Sequence, residues 1–283
     1  MRVLITGAKG MLGRTLSRRW SGLHDLIATD RENLDITDAR ACTAAVAGLR
    51  LDCVVHCAAY TAVDRCEAEV EAAFRLNAVG SANIAIACQR AGVRLIAIST
   101  DYVFGGDLQR PYHEWDATGP RTVYGRSKLA GEEAVRTHCP DHVIARIAWL
   151  YGPGGPSFVH TMLKLGRQGG APLRVVDDQI GNPTSTDAVA GTLVPLLGRD
   201  GPVGTMHATC GGEATWHGFT QAIFARTGLT RGVEPCTTAA YPRPAPRPAN
   251  SRLDTMALRL HGLPATPPWQ EALDRFLHDF PEG

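Results

Sequence analysis

The chain has 283 residues, enough for one large α/β domain or for a domain with a smaller second lobe. Its 29 Lys and Arg balance 28 Asp and Glu, and the net charge of +1 indicates neither a nucleic-acid partner nor an anionic membrane surface. No apolar run reaches the roughly twenty residues of a membrane span, and the N-terminal MRVLITG lacks a signal-peptide pattern, so we expect a cytoplasmic protein. The eight cysteines include no C-x-x-C pair, which favours free thiols over a disulfide or zinc framework.

The N-terminus reads as a strand, a glycine turn and a helix in direct succession. Arg2 to Thr6 is a short apolar run typical of a strand buried on both faces of a parallel sheet, and Leu12, Leu16 and Trp20 then recur at helical intervals. In this arrangement bare backbone lets a pyrophosphate approach the positive N-terminus of a helix, which predicts dinucleotide binding. Such loops also serve as plain turns. The turn residues assigned to the cofactor are Gly7, Lys9, Gly10, Met11, Leu12 and Gly13.

A second strand, His24 to Thr29, ends at Asp30 and Arg31. An acid at this point can bind the ribose hydroxyls of NAD, whereas a base can accept the extra phosphate of NADP. Because Lys9 in the glycine turn can also face that phosphate, we favour NADPH, with NADH as the alternative. Arg31 and Lys9 as simple surface charges stay open as well. The cofactor set from this region is Asp30, Arg31, Asp35 and Ile36.

The third predicted strand is Leu51 to His56, followed by small residues. Ligands of parallel sheets bind at the carboxyl ends of the strands, where small residues permit close approach of the backbone. We therefore add Ala58, Ala59 and Tyr60 to the cofactor set. From Asp64 to Ala91 the pattern is helical, with an interruption near Asn77 and Gly80, and we interpret Asn77 as structural.

A fourth buried strand, Leu95 to Ile98, brings Thr100 to the same edge of the sheet, where its hydroxyl can bond a substrate carbonyl. A helix from about Thr122 to His138 then carries Tyr124 and Lys128 one turn apart on one face. A phenol has an ordinary pKa of about 10, and a nearby ammonium favours its ionised form. The pair thus suits proton delivery to a carbonyl oxygen. The same spacing also arises by chance. The glycine turn and Thr100 are the features that favour a catalytic role for this pair.

The next strand, Val143 to Ile147, ends just before Trp149. Beyond Pro156 the pattern is less regular, and we predict a helix capped by Ser157, a strand over 173–176, a polar loop over 177–184, a helix capped by Asp187 and a helix after Trp216. The proline-rich stretch 241–248 excludes helix and central strand, because alternate residues lack an amide donor. A last helix follows Pro267-Pro268.

These elements predict an α/β protein with a Rossmann-type doubly wound parallel sheet. We assign residues 1–155 to an NAD(P)-binding domain and 156–283 mainly to a smaller α/β substrate-binding lobe. Segments of that lobe can return to the first domain.

Four blocks of sequence extend the pattern beyond cofactor binding. They are Ser99-Thr100-Asp101-Tyr102-Val103-Phe104, Tyr124-Gly125-x-x-Lys128-Leu129, Asp178-Gln179-x-Gly181-x-Pro183-Thr184 and Arg247-Pro248-x-Asn250-Ser251-Arg252-Leu253. With these blocks the chain resembles the dTDP-4-dehydrorhamnose reductase family of extended short-chain dehydrogenases/reductases over nearly its whole length. The last two blocks are the more specific, since cofactor binding does not require them.

The resemblance implies an oxidoreductase that transfers a hydride from a nicotinamide to the 4-keto group of a dTDP-6-deoxy-L-hexulose, giving dTDP-L-rhamnose. Tyr124 would donate the proton, Thr100 would bond the same oxygen, and Lys128 would hold the nicotinamide ribose and lower the pKa of Tyr124. Trp149 would either pack against the sugar or anchor the two lobes to each other. The substrate residues implied are Thr100, Asp101, Tyr102, Trp149, Asn182, Arg247 and Arg252. The two arginines would meet the diphosphate or serve as loop surface charges.

Two departures limit what the resemblance carries over. Related dehydratases use a Thr-Asp-Glu set at this strand end, and Tyr102 stands at the third position here, so dehydration loses a participant. Some reductases of the family bind Mg²⁺ at a dimer contact through a glutamate early in the first helix. Thr15 stands there, and only Asp187 is acidic in the partner region, so no metal is assigned and Mg²⁺ is in doubt. Monomer and homodimer both stay open.

Two other functions remain as alternatives. One is a related sugar-nucleotide ketoreductase of antibiotic sugar biosynthesis, for instance for dihydrostreptose. The other is a non-catalytic NADP-binding regulatory subunit like that of methionine adenosyltransferase. The intact Thr100, Tyr124 and Lys128 set favours the enzymes over the regulatory subunit.

Overall fold

The computed structural model describes residues 1–280, and strands alternate with helices through the first half of the chain. The strands are β1 Arg2–Thr6, β2 Asp25–Thr29, β3 Cys53–His56, β4 Arg94–Thr100, β5 His142–Ile147, β6 Leu150–Tyr151, β7 Leu173–Val176, β8 Ile180–Gly181, β9 Thr184–Ser185, β10 Gly204–His207, β11 Ala214–Thr215, β12 Val233–Cys236 and β13 Asn250–Ser251. The α-helices are α1 Met11–Trp20, α2 Ala39–Gly48, α3 Val63–Cys66, α4 Val70–Phe74, α5 Gly80–Ala91, α6 Val123–His138, α7 Phe158–Gln168, α8 Thr186–Leu193, α9 Trp216–Thr227, α10 Met256–Leu260 and α11 Trp269–Asp279.

The largest sheet has six parallel strands in the order β10-β5-β4-β3-β1-β2. The Rossmann-type doubly wound sheet predicted from the sequence is confirmed. The strand order reverses between β1 and β3, because β2 lies on one side of β1 while β3, β4 and β5 follow on the other. In sheets of this kind the ligand crevice lies outside the carboxyl ends of the strands at that reversal. The fold therefore places the crevice beside the glycine turn.

Two apolar clusters cover the two faces of this sheet. Val3 and Ile5 belong to the cluster that includes α1 and α8, whereas Leu4 belongs to the cluster that includes α2 and α5. Successive side chains of a strand point to opposite faces, so an uninterrupted apolar run supplies both clusters. This is why β1, β3 and β5 read as continuous hydrophobic segments.

Residues after 156 contribute to two parts of the molecule: the first body, which is built around the large sheet, and a smaller second body. β10 pairs with β5 at the edge of the large sheet, and α8 lies in the same apolar cluster as α1. A separate cluster unites α7, α9 and α11 around Tyr151, Phe219 and Leu273. Small sheets of order β11-β8-β13, β12-β7 and β6-β9 complete the second body.

Some local structure differs from the expectations. Ser185 caps α8, since its hydroxyl accepts from the Ala188 amide at 3.1 Å. The prediction that Asp187 is the cap is wrong, because Asp187 lies in the first turn of the helix and pairs with Arg18 at 3.0 Å. The interruption predicted near Asn77 is a π-helical turn over Arg75–Val79. β10 and α2 were not anticipated.

None of the helices within residues 1–280 has the length and apolar character needed to cross a membrane. All eight cysteines lie in this part of the chain and are free thiols. Six of them are buried, and burial raises the pKa of several, including Cys53 to about 12 and Cys42 to about 11. Thiols held in the protonated form by burial are poor nucleophiles.

Candidate active site

Thr100, Tyr124 and Lys128 converge at the carboxyl edge of the large sheet. Thr100 is the last residue of β4, and its hydroxyl lies within hydrogen-bonding reach of the Tyr124 hydroxyl. α6 carries Tyr124 and Lys128 in its first two turns, and it begins where the Thr122 hydroxyl accepts from the Gly125 amide at 2.9 Å. All three functional side chains are at least nine-tenths buried.

A close approach of two backbones holds this helix against the strand end. A methyl group at Gly125 would lie 2.2 Å from the Tyr102 carbonyl oxygen, so a larger residue would push α6 away from Thr100. The carboxylate of Glu67 also accepts from the Val123 amide at 2.9 Å, which satisfies a second free amide of the first turn. The position of Tyr124 thus depends on contacts from two other segments.

Burial dominates the acid–base chemistry of the pair. It lowers the pKa of Lys128 to about 8, with the nearby Glu132 carboxylate opposing the shift. The Lys128 ammonium donates to the Ile98 carbonyl at 2.7 Å. Burial raises the pKa of Tyr124 above its ordinary value, and the hydrogen bond with Thr100 offsets only part of that rise. The expected lowering of the Tyr124 pKa by Lys128 is therefore not found: desolvation of the phenolate raises this pKa, and Lys128 is not among the main groups that shift it.

Asp101 follows Thr100 and is buried beside the same edge. Its Oδ1 accepts from the Thr100 hydroxyl at 2.9 Å, whereas its Oδ2 has no hydrogen-bond partner of ordinary geometry. Burial raises the pKa of this carboxyl to about 6, although the nearby Ser251 and Thr100 hydroxyls stabilise the charge. Tyr102, the next residue, packs its ring edge-on against Tyr124 with 5.5 Å between the centroids.

The glycine turn forms a cradle that side chains would fill. Gly7 has φ +67°, and a methyl group there would lie 2.7 Å from the Ala58 Cα. A methyl group at Gly13 would lie 2.3 Å from the Gly7 carbonyl oxygen. Gly10 is the N-cap of α1 and offers no side-chain cap, and the first turn at Met11 and Leu12 holds no acidic residue. Open amides at a positive helix end fit the pyrophosphate of a dinucleotide.

Charges of both signs surround the end of β2. The two carboxylate oxygens of Asp30 accept from the Lys9 amide at 2.9 Å and the Arg31 amide at 2.8 Å. The Lys9 ammonium pairs with Glu32 at 2.8 Å, a partner that the sequence did not indicate. Asp35 accepts from the amide and hydroxyl of Thr37, which lowers its pKa.

The other predicted cofactor residues lie where the chain leaves β3 and near α5. Ile36 is buried against Gly80, where a methyl group would lie 2.5 Å from its Cδ1. Ala58 and Ala59 are half-buried beside the glycine turn. The amide of Tyr60 donates to Asn77 Oδ1 at 2.7 Å, and Asn77 Nδ2 donates to Ser127 at 2.9 Å. Asn77 therefore joins this segment to α6, in agreement with a structural role.

Two of the predicted substrate residues use their polar groups in hydrogen bonds within the protein. Asn182 donates to the Gly212 carbonyl at 2.7 Å and accepts from the Leu253 amide at 2.7 Å. The Arg252 guanidinium is 14% exposed, and its three nitrogens each donate to the protein: Nε to Asn250 at 2.9 Å, Nη1 to Glu213 at 2.9 Å and Nη2 to the Gln109 carbonyl at 2.6 Å. Asn182 ties loops of the second body together, and Arg252 also joins them to the loop at Gln109, between β4 and α6.

Arg247 lies in the proline-rich loop and reaches across to the first body. Its guanidinium pairs with Asp64 of α3 at 2.8 Å and donates to the Ala245 carbonyl at 2.9 Å. This loop also lines a small cleft with Tyr102 and Pro248. Arg247 thus lies near Tyr102 at the catalytic edge, and its charged partner is a single carboxylate that a competing anion can replace.

The positions considered for a metal are engaged in other contacts. Thr15 is buried and donates to the Thr186 hydroxyl at 2.8 Å. Asp187 pairs with Arg18 at 3.0 Å and with Arg19 at 3.3 Å. Residues 1–280 contain no group of three or more His, Cys, Asp or Glu side chains arranged to hold a metal ion.

The family described as the RmlD substrate binding domain matches residues 1–281. The chain belongs to this family. A dTDP-4-dehydrorhamnose reductase of Streptomyces griseus is 45% identical over 282 residues, which cover 96% of this chain and 91% of that protein. A probable dTDP-4,6-dihydroxy-2-methyloxan-3-one 4-ketoreductase of Streptomyces antibioticus is 45% identical over 278 residues, covering 96% and 93%. The structure of a Bacillus anthracis dTDP-4-dehydrorhamnose reductase in complex with NADP superposes with a TM-score of 0.95 at 38% identity, covering 98% and 99%.

In this member of the RmlD substrate-binding family, sequence reasoning missed several residues that shape the site. Glu67 caps α6, and Glu132 forms a buried ion pair with Arg146 at 2.7 Å beneath β4 and β5. Trp216 stacks on Trp149 with 3.4 Å between the ring centroids and 6° between the planes. This contact favours the interpretation of Trp149 as an anchor between the two bodies. Trp216 follows the capping Thr215 in the sequence, but nothing there indicates its aromatic partner.

Proposed function

We propose that the protein is an NAD(P)H-dependent reductase of the 4-keto group of a dTDP-linked 6-deoxy-L-hexulose, giving dTDP-L-rhamnose. The observation that carries this proposal is the convergence of Thr100, Tyr124 and Lys128 beside the glycine turn. Membership of the RmlD substrate-binding family and the names of relatives at 45% and 38% identity support the same reaction.

The chemistry assigns one task to each of the three side chains. A nicotinamide cofactor held at the glycine turn would supply the hydride for the carbonyl carbon. Tyr124 donates its proton to the carbonyl oxygen, and its raised pKa keeps that proton in place until negative charge develops there. Thr100 bonds the same oxygen. Lys128, whose pKa of about 8 leaves it mostly charged at neutral pH, stabilises the phenolate that remains after transfer.

We favour NADPH over NADH as the hydride donor. Lys9 and Arg31 can meet the additional phosphate, and the B. anthracis relative was crystallised with NADP. Glu32 and Asp30 oppose that preference, since Glu32 pairs with the Lys9 ammonium and the Asp30 carboxylate accepts from the backbone amides of Lys9 and Arg31. We therefore expect measurable activity with NADH as well.

The division of labour proposed for the chain follows the two bodies. Residues 1–155 bind the cofactor and carry the proton donor, and residues 156–283 mainly bind the dTDP-linked keto-sugar. β10 and α8 from the second part support the first. Arg247 is proposed to contact the nucleotide, and Arg252 and Asn182, whose polar groups are bonded to neighbouring loops, are proposed to support that site from behind. A monomeric or homodimeric state and the lack of a bound metal are also part of this proposal.

The decisive experiment follows NADPH absorbance with freshly prepared dTDP-4-keto-6-deoxy-L-hexose. Wild-type protein should oxidise NADPH only when the sugar is present. Tyr124→Phe should lower kcat by about 10²- to 10⁴-fold, because it removes the general acid. Tyr241→Phe is the matched control, since Tyr241 is 52% exposed and should retain full activity. Failure of the wild type to turn over the sugar would contradict the proposal.

A related ketoreductase activity is the second candidate, because the S. antibioticus relative named as a 4-ketoreductase is as similar as the S. griseus reductase. A panel of dTDP-keto-sugars separates the two by the ratio of kcat/KM values. A non-catalytic NADP-binding subunit would bind cofactor and turn over no sugar in the panel.

A further inference from the structure

Trp149 occupies a strained position between the catalytic edge and the second body. It follows β5 by two residues, and Ile147 at the end of β5 pairs in register with Thr100. Trp149 has φ +46°, which costs a non-glycine residue of this size free energy and persists only where neighbours enforce it. It packs against an apolar cluster that includes Val103 and Phe104, which follow Thr100 in the chain, and Leu253 from the second part.

Both faces of the Trp149 indole are covered by protein. Trp216 stacks on one face, with planes 6° apart and 3.4 Å between centroids, which leaves no space between the rings. Gly181 lies on the other face. A methyl group there would be 2.5 Å from Cε2, 2.6 Å from Nε1 and 2.9 Å from Cδ2, which places it above the ring and not at its edge. A sugar therefore cannot stack on either face and meets only the edge of this indole.

Trp216 is itself held from several sides. Its Nε1 donates to Gln179 Oε1 at 3.0 Å, and Gln179 Nε2 donates to the Thr238 hydroxyl at 2.9 Å. Phe158 packs against it with 4.4 Å between the ring centroids. Thr215 caps the helix that begins at Trp216. A ring fixed by an amide, an aromatic neighbour and a helix start can hold a second ring in place.

We propose that Trp216 is a positioning residue for the sugar end of the substrate: it clamps Trp149 against Gly181 so that the Trp149 edge forms a fixed wall beside Thr100. This inference rests on the proposed function. The second body thus sets how deeply the keto group reaches toward the catalytic edge. Trp216 does this without itself contacting the reacting atoms. A small displacement of the reacting group is costly, so the wall affects catalysis through sugar binding and orientation.

The stack has a spectroscopic signature that is independent of activity. Two indoles in contact couple their electronic transitions, and this coupling adds a signal to the far-ultraviolet circular dichroism whose sign and size depend on the twist between the two rings. Trp216→Leu and Trp149→Phe should each abolish this signal, whereas Trp115→Leu, at a residue 65% exposed, should retain it. Gly181→Ala should also abolish it, because the added methyl group displaces Trp149 from the opposite side.

The kinetic arm compares the same variants. Trp216→Leu and Gly181→Ala should each lower kcat/KM for the keto-sugar by about three- to tenfold, the scale of an aromatic pair, through a higher KM for the sugar and a lower kcat. The KM for NADPH should stay within about twofold, since the cofactor cradle is untouched. Trp216→Phe keeps a stacking ring and should recover most of the loss. Trp115→Leu should match the wild type.

The outcomes separate this inference from the proposed function. Wild-type turnover with no kinetic change in Trp216→Leu, despite loss of the dichroic signal, overturns the positioning role and leaves the function intact. If the KM for NADPH rises as much as the KM for the sugar, the positioning role is also overturned, because such a result indicates a general defect of the second body. If Trp216→Leu does not fold, as judged by its melting temperature, Trp216→Phe and Gly181→Ala decide the question on the same two readouts.

Discussion

The edge of the parallel sheet and the loops of the second body use polar side chains in different ways. At the sheet edge Asp101 has one carboxylate oxygen without a hydrogen bond of ordinary geometry, and the first turn of α1 keeps open amides. In the second body Asn182 and Arg252 are bonded to neighbouring loops at nearly every polar atom. The first region has hydrogen-bonding capacity left for ligands, whereas much of the second uses its capacity to hold itself together.

The difference follows from how each region is built. The strands and helices of the first body satisfy their own backbone groups, so side chains at the strand ends are free to act on a ligand. The second body contains short strands and loops whose buried backbone groups need side-chain partners. A residue in a specific sequence block can therefore serve the fold of its own loop.

The largest expected effect tests the sheet edge. Lys128→Met should lower kcat by about 100-fold, because the phenolate left on Tyr124 loses its nearby positive charge. The dependence of kcat/KM on pH reports pKa values of the free enzyme. In the wild type, kcat/KM should therefore fall above pH about 8, where Lys128 loses its charge.

A matched variant tests whether Lys128 causes this fall in kcat/KM at high pH. Lys128→Arg stays charged up to pH about 12, so whatever activity it retains should show no fall near pH 8. A wild-type profile that stays flat to pH about 10 would show that the Lys128 charge is not required.

A smaller effect on stability tests the second region. Arg252→Lys replaces a planar fork by a single ammonium, which cannot reach Asn250, Glu213 and the Gln109 carbonyl together. We expect the free energy of unfolding to fall by about 1–3 kcal/mol in denaturant titrations, with the KM for the sugar changed by less than about threefold. Arg247→Lys should show the reverse pattern. If Arg252→Lys raised the sugar KM strongly at unchanged stability, the contrast between the two regions would break down.

The smallest expected effect concerns cofactor choice. Glu32→Gln removes the carboxylate that pairs with Lys9 at 2.8 Å and leaves the ammonium to the additional phosphate of NADPH. Exposed ion pairs are weak, so the ratio of kcat/KM for NADPH to that for NADH should rise only about two- to fivefold, and less at high salt. Glu234→Gln, on an exposed residue of β12, is the control and should leave the ratio unchanged. If the ratio fell in Glu32→Gln, competition between Glu32 and the additional phosphate for Lys9 would be excluded.

Much of the fold was predictable because its signals are local. β1 and β7 have the bounds that their apolar runs predict, and Ser157 caps α7 as expected. β10 was missed because its four residues carry little apolar signal and become a strand by pairing with β5. The cap of α8 was misassigned because Ser185 and Asp187 are both good capping residues, and only the backbone conformation distinguishes them.

The sequence by itself determined the parallel sheet, the glycine turn and the spacing of Tyr124 and Lys128, since each depends on residues close together in the chain. Tertiary structure decided the direction of the Tyr124 pKa shift, which depends on burial by distant segments. It also decided that Arg252 is bonded internally and that Trp149 lies between Gly181 and Trp216. These features arise from contacts between residues far apart in the chain, where no local pattern of apolar, polar or glycine residues records which partner will be met.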